Sequence, residues 1–478
     1  MYTIIYILPE LFLSAAIMAL LMIGVFIKKS FKLVYLLTIL SLMFVIVLVL
    51  NQPNEIEKIF NESYIIDKLS IFMKTLTLIF CLFVLLSSKD YIKKNSIDKI
   101  EYPILILSSV LGMLLMISSN DLIVFYLGLE LQSLSLYILT SFKRNEERST
   151  EAGLKFFVLS ALSSGLLLYG CSLIYGFTGT TNFDEINLIL SELENLNIGI
   201  LFGLIFILVG LAFKIAAVPF HMWTPDVYEG APTPITAFFA VAPKIAAMAL
   251  LVRTMVGPFG ELYEQWQQVV IFISVASMLL GAFAAIWQTN IKRLLAYSSI
   301  GHVGFALVGL AAGSKEGISA IGIYMTIYLA MNIGAFGCVL SMRRQGLLTE
   351  NIDDLAGLAR NHPLMAAGMG IFMFSMAGIP PLAGFFGKFY IFLAAVNEGL
   401  YLLAIVGVLT SVVGAYYYLR IVKIMYFDEP ADAFDRTAGR EIAVITTFAG
   451  GFTLLFFIFP SPIVNAATKA AAALFSGG

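Results

Sequence analysis

Runs of about 20 apolar residues follow one another along almost the whole chain, with no soluble stretch of comparable size between them. A helix of that length crosses the hydrocarbon core of a bilayer. The pattern therefore predicts an all-α polytopic membrane protein. Fourteen runs can be counted, beginning near Thr3, Phe31, Ile65, Tyr102, Asp121, Ala152, Ile198, Thr233, Gln267, Ile291, Gly317, Pro363, Gly399 and Arg440. The first has no basic leader and no small-residue cleavage site, so it is expected to be a retained helix and not a signal peptide.

Two runs, the seventh and the twelfth, are interrupted. The seventh enters the stretch Leu211–Lys244, LAFKIAAVPFHMWTPDVYEGAPTPITAFFAVAPK, which ends inside the eighth and where Pro219, Pro225, Gly230, Pro232 and Pro234 forbid one continuous helix. The twelfth, FSMAGIPPLAGFFGKFYIFLAAV from Phe374 to Val396, is broken at Gly378, Pro380, Pro381, Gly384 and Gly387. A break at membrane depth frees backbone groups, which is tolerated only where protein buries them or water reaches them. Corresponding breaks in two halves mark an ion path between inverted repeats.

The spacing of charged residues supports such a repeat. Lys214 and Lys388 lie 174 residues apart, beside the two breaks; Glu130 and His302 lie 172 apart, each two runs earlier. Runs four to eight (101–257) and nine to thirteen (258–427) are expected to form two five-helix repeats. They follow a three-helix segment (1–100) and precede a C-terminal helix and tail (428–478). An odd number of spans per repeat makes the two run in opposite senses across the membrane.

Basic residues set the orientation. With the N-terminus outside, nineteen Lys and Arg fall in inner loops, among them Lys143, Lys292, Arg293 and Arg436. Outside lie Lys58, Lys68, Lys315 and Lys469, with Arg253 near an outer helix end. The loop from Gly179 to Asn197 carries four acidic residues and no basic one. This imbalance predicts both termini on the outer face.

Composition narrows the chemistry. The chain is 60% hydrophobic and 13% charged; its net charge of −2 says nothing about partners, and nothing suggests nucleic acid. Three dispersed cysteines, three scattered histidines and no Gly-rich phosphate loop leave no place for haem, flavin, zinc or an iron–sulfur cluster.

Within the runs lie Lys74, Lys155, Lys214, Lys244 and Lys388, and one acidic residue, Glu130. Each costs about 2.5–3.5 kcal/mol at bilayer depth, which stability alone would not maintain. Each also has a plainer reading. Lys214 and Lys388 could bond carbonyls freed by the breaks, Glu130 could pin a neighbouring helix, and His302 could be a hydrogen-bonded core residue. Lys155, about one turn from an inner helix end, could reach the headgroups. Lys74 reads best as structural, and His221, Asp226 and Glu229 as solvated or capping groups at the mouth of the first break. Lys244 is too deep to reach either surface. Lysines in a dry site lose their charge readily, and a carboxylate brought within about 4 Å restores it. A carboxylate, a chain of lysines and a histidine relay therefore suit protons and not Na⁺.

Four stretches carry a family resemblance: Lys155–Gly170, Pro219–Phe239, Arg293–Phe305 (RLLAYSSIGHVGF) and Ala377–Tyr390 (AGIPPLAGFFGKFY). The chain resembles the antiporter-like membrane subunits of respiratory NADH–quinone oxidoreductase (complex I), over roughly residues 100–430. Trp223–Thr233 is closest to the N branch of that family. The resemblance implies a fourteen-helix fold in a bacterial inner membrane, among other membrane-arm subunits. It also implies proton translocation driven by quinone reduction elsewhere, with FMN, iron–sulfur clusters and quinone in other subunits and no cofactor here. It carries over Glu130 and Lys214 as a coupled pair, Lys244 as central relay and Lys388 as exit-side residue. His302 falls between the last two, and Lys155 is a further candidate. The competing expectations are a subunit of a multisubunit cation/proton antiporter without redox drive, and a scaffold that has lost transport.

Overall fold

The computed structural model describes residues 5–53, 55–193, 195–435 and 439–475. Thr3, Glu194 and Arg436, used above for the first run and the charge balance, lie outside them. The chain is almost wholly helical, because in lipid each backbone group must find its partner within its own segment. An N-terminal group contains α1 (Leu8–Phe26), α2 (Phe31–Leu50) and α3 (Lys68–Lys94), with a short antiparallel hairpin of β1 (Glu57–Ile59) and β2 (Tyr64–Ile66) before α3. Then come α4 (Glu101–Ile117), α5 (Leu122–Thr140), α6 (Glu147–Thr178), the short surface helix α7 (Phe183–Ser191), α8 (Ile198–Ile215), α9 (Thr224–Gly230) and α10 (Thr233–Val256). The second half contains α11 (Tyr263–Ile286), α12 (Ile291–Ala311) and α13 (Lys315–Ser341). After the small β3–β4 hairpin (Arg343–Arg344, Leu347–Leu348) follow α14 (Leu358–Asn361), α15 (Pro363–Ala377), α16 (Ala383–Asn397), α17 (Tyr401–Phe427), α18 (Arg440–Leu455) and α19 (Ser461–Phe475).

Among the described residues eleven helices are long and apolar enough to cross a membrane, and α4, α15 and α16 are shorter apolar helices. The sequence predicted one C-terminal span and a tail. The structure has two helices there, α18 and α19, separated at Pro460, whose ring removes a donor and disfavours helix in the residue before it. Polar caps punctuate the rest. Asp67 and Ser70 form a reciprocal capping box at α3 (2.7 and 2.9 Å), and Asn290 caps α12 through the amides of Lys292 and Arg293 (2.9 and 3.2 Å).

The axis of the molecule is α10, wholly buried, with α12 and α13 nearly so, whereas α1 and α2 are mostly exposed. Small residues permit close crossings where lipid gives no hydrophobic drive to association. A Cβ on Gly112 of α4 would meet Gln132 N at 2.5 Å and Gly128 O at 2.6 Å on α5; one on Gly281 of α11 would meet Gly301 N of α12 at 2.6 Å.

Both predicted breaks are present. α8 ends at Ala216 in the left-handed conformation, φ +62°, and α15 ends at Gly378, φ +90°. Freed groups find partners. Val218 N–H donates to Ser277 Oγ of α11 (2.9 Å), and Gly384 N–H to Ser375 Oγ (2.9 Å).

Two buried ion pairs were missed in the sequence: one holds the N-terminal group together, and the other joins it to this axis. Glu10 of α1 is a second acid within the runs. Its Oε1 accepts from Lys74 Nζ at 2.7 Å, and Lys74 also donates to Tyr64 Oη at 2.8 Å, tying α1 and β2 to α3. Arg253, expected near an outer helix end, is buried in a fork to Asp67 with both N–O distances 2.9 Å. Arg253→Gln leaves a buried carboxylate unpaired and is expected to destabilise by about 3–5 kcal/mol, while Asp67→Asn combined with it restores part of the loss. Thermal unfolding of both variants in detergent tests this; equal melting points for Arg253→Gln and the parent would refute it.

Candidate functional site

The buried titratable groups gather in centres around α10 and α12. Lys214, in the last turn of α8, points between α5 and α6 and donates to Ser133 Oγ and Ser160 Oγ, both at 2.8 Å; Tyr137 Oη in turn donates to Ser160 Oγ at 2.7 Å. It does not bond the carbonyls of its own break. Glu130 lies one turn before Ser133 on α5, in electrostatic reach of Lys214, but no salt bridge joins them and its Oε1 is buried without a hydrogen-bond partner. The expected coupled pair is thus two neighbouring groups bridged by no direct contact in this arrangement.

Lys244 lies midway along α10 and is 1% exposed. Its Nζ donates to Ser299 Oγ of α12 and lies 5.3 Å from the centre of the Tyr228 ring of α9. Tyr328 Oη of α13 donates to the same serine oxygen at 2.8 Å and approaches Ala240 O at 3.1 Å. One turn along α12, His302 is hydrogen-bonded through Nδ1 to Tyr324 Oη (2.6 Å) and through Nε2 to Tyr418 Oη (3.1 Å), and Tyr418 meets Ser298. Lys388 of α16 donates to the carbonyls of Met376 and Ala377, both 3.1 Å, and to Ser411 Oγ at 2.7 Å. It thus satisfies the second break as well as facing the histidine. A cavity of ≈ 10 Å³, lined in part by Ser298, His302, Lys388, Ser411 and Tyr418, joins the two; about 10–15 Å³ admits one water.

Lys244, His302 and Lys388 therefore each sit among hydroxyls, in three clusters that adjoin through the Tyr328 ring and the small cavity. Serine and tyrosine hydroxyls each donate and accept, so such clusters can hand a proton along. From Lys214 to Lys244 the connection is different in kind. Rings of Phe213, Trp223 and Tyr228 run between them, with centroid steps of 5.6 and 6.5 Å, Lys214 lying 5.9 Å from the first ring.

Lys155 stands apart from the buried groups. Its side chain is 43% exposed and pairs with Glu151 (2.8 Å) and Asp226 (2.9 Å) at the mouth of the first break. Lys292, expected in a loop, is 3% exposed and pairs with Glu350 (2.7 Å) while donating to Ala231 O (3.0 Å). The partners missed in the sequence are mostly hydroxyls: Ser133, Ser160, Ser299, Ser411, Tyr328 and Tyr418. The i, i+4 pair Tyr324 and Tyr328 and the doublet Ser298–Ser299 beside His302 were the available signals.

An all-helical membrane fold with two broken helices and buried lysines beside them defines an antiporter-like, ion-translocating membrane protein. Residues 119–414 match the family described as NADH:quinone oxidoreductase/Mrp antiporter, transmembrane, and the chain belongs to that family. It is 56% identical over 474 residues to NADH-quinone oxidoreductase subunit N of Paramagnetospirillum magneticum, covering 98% of this chain and 97% of the relative. It is 53% identical over 465 residues to subunit N of Pelagibacter ubique, covering 97% and 98%. A chain of respiratory complex I from Thermus thermophilus with bound aureothin superposes with a TM-score of 0.83 at 30% identity, over 96% of this chain and 99% of that one. A chain of the Mrp complex from Dietzia shares the fold, with a TM-score of 0.89 at 20% identity over 99% and 98%.

The difference in exposure predicts a labelling pattern. An amine-reactive reagent applied to native vesicles should modify Lys155 and spare Lys214, Lys244 and Lys388, which are at most 7% exposed. Peptide mass spectrometry reads this; equal labelling of Lys244 and Lys155 would contradict the dry site.

Proposed function

We propose that this chain is a proton-translocating membrane-arm subunit of an NADH:quinone oxidoreductase, in which quinone reduction in other subunits drives protons through Glu130, Lys214, Lys244, His302 and Lys388. The observation that carries this is the succession of adjoining hydroxyl-bonded groups: Lys244 with Ser299 and Tyr328, His302 with Tyr324 and Tyr418, and Lys388 with Ser411. The relatives at 53–56% identity favour redox drive over a free-standing cation/proton antiporter. FMN, iron–sulfur clusters and quinone would then lie in other subunits. The fold reads as fourteen spans in a bacterial inner membrane, both termini outside. Spans four to eight and nine to thirteen form inverted repeats, supported by the equivalent glycine crossings Gly112–Gly128 and Gly281–Gly301. Lys155 sits at the inner mouth and belongs to proton entry.

In this reading Glu130 acts on Lys214 through space. When the carboxylate is charged it favours the ammonium, and when it is protonated the buried amine releases its proton. Lys244 receives from the first half and passes on through Ser299.

Lys244→Met is expected to abolish NADH-driven proton translocation while the complex assembles. Lys244→Arg fails too, since guanidinium keeps its proton. Proton uptake into vesicles at the parental rate in Lys244→Met would make this lysine structural. Glu130→Gln is expected to impair pumping nearly as much as Lys214→Met, and the double variant is no worse than either, as for residues that act as a unit. A double variant that regains both assembly and pumping would instead make the two a mere strut.

A further inference from the structure

Helix α9 is only seven residues long, yet it touches both halves of the relay. At its start, Trp223 stacks on Phe156 of α6 (ring centres 4.7 Å apart) and donates its indole N–H to Phe213 O of α8 at 3.1 Å. Its Tyr228 ring lies beside Lys244. At its end, Gly230 lies so close to α6 that a Cβ would meet Arg148 O at 2.5 Å and the Ala152 Cβ at 2.6 Å. On the inner face, Asp226 accepts from Lys155 of α6 at 2.9 Å and from Arg293 of α12 at 2.7 Å, and Arg293 also donates to Glu229 at 3.0 Å.

These anchors are placed with respect to the two lysines. Phe156 is one turn from Ser160, which accepts from Lys214; Arg293 lies on the helix whose Ser299 accepts from Lys244. A single exposed ion pair holds little, but here one carboxylate takes two cations from two helices and one guanidinium takes two carboxylates. The rings of Phe213 and Trp223 between the lysines carry no hydroxyl, so the hydroxyl clusters seen around Lys244, His302 and Lys388 do not extend between the two centres there. What is left to link them is displacement of packed helices: α8 packs directly on α10, and α9 bridges α6 and α12, whose serines hold Lys214 and Lys244.

We infer that Asp226, with Arg293 and Glu229, is a positioning residue that clamps α9 across α6 and α12 and so couples the Lys214 site to the Lys244 site. This rests on the relay reading given above. Asp226 does not itself carry the transported proton; it keeps α9 seated so that a change around Ser160 and Lys214 reaches Tyr228 and Lys244.

The test uses the whole complex in vesicles, with NADH-driven proton translocation expressed per assembled complex. Asp226→Asn should lower that rate about 2- to 30-fold, the range of substitutions that weaken coupling between sites. Asp226→Glu should recover much of it. Asp226→Asn combined with Arg293→Gln should be no worse than either alone. Gly230→Ala keeps every charge but pushes α9 off α6, and should lower the rate as well. The clamp is overturned if Asp226→Asn reduces only the yield of complex while the rate per complex stays parental. It is equally overturned if Gly230→Ala leaves the rate untouched while Asp226→Asn lowers it, since the carboxylate would then serve proton uptake. Lys244→Met run alongside separates the two levels. Parental pumping in that variant refutes the relay itself, whereas its loss together with parental pumping in Asp226→Asn refutes the clamp alone.

Discussion

A backbone group or charge left unpaired at membrane depth costs several kcal/mol, and this constraint organises the molecule. Each helix break creates such groups, and each is answered from inside the protein. In the second half the answer is Lys388 itself, whose ammonium takes two carbonyls of α15. In the first half it is Ser277, reaching from the other half to the amide of Val218, and Lys214 is left free to bond two serines. The two lysines match in sequence spacing yet do different work. Lys388 is tied to backbone, and Lys214 sits among groups that can rearrange.

The same constraint explains where the hydroxyls are. Buried ammonium and imidazole groups need partners, and the partners supplied around Lys244 and His302 are serine and tyrosine oxygens from α12, α13 and α17. Those hydroxyls satisfy the charges in three adjoining clusters, around Lys244, His302 and Lys388. Carboxylates would have satisfied the lysines more strongly, but would have locked them as ion pairs, as Glu10 locks Lys74 and Asp67 locks Arg253. The buried cationic groups thus divide into those paired with carboxylates, such as Lys74 and Arg253, and those held by hydroxyls, such as Lys214 and Lys244.

Much of this was legible in one dimension. Run length requires membrane helices because the bilayer has a fixed thickness. Proline and glycine at Pro219 and Gly378 require breaks because they remove donors or admit left-handed backbone. Lysines at 214, 244 and 388 stand out because nothing cheap explains them in apolar surroundings. Two of the four stretches that carry the family resemblance, Pro219–Phe239 and Ala377–Tyr390, cover these breaks.

What the tertiary structure alone decided is which apolar face meets protein and which meets lipid. Lipid is as apolar as leucine, so the pattern along a helix does not separate the two. Hence α10 and α1 read alike in sequence, while one is the buried axis and the other is peripheral. Glu10 and Arg253 lie far along the chain from the partners they pair with, at separations of 64 and 186 residues. Serines and tyrosines are common in such helices, and only packing shows which of them touch a lysine. The sequence by itself determined the helices, the two breaks and the lysines beside them, because those follow from local chemistry and bilayer thickness. Their partners, and the gap between Lys214 and Lys244, follow from contacts between distant segments, which no local pattern encodes.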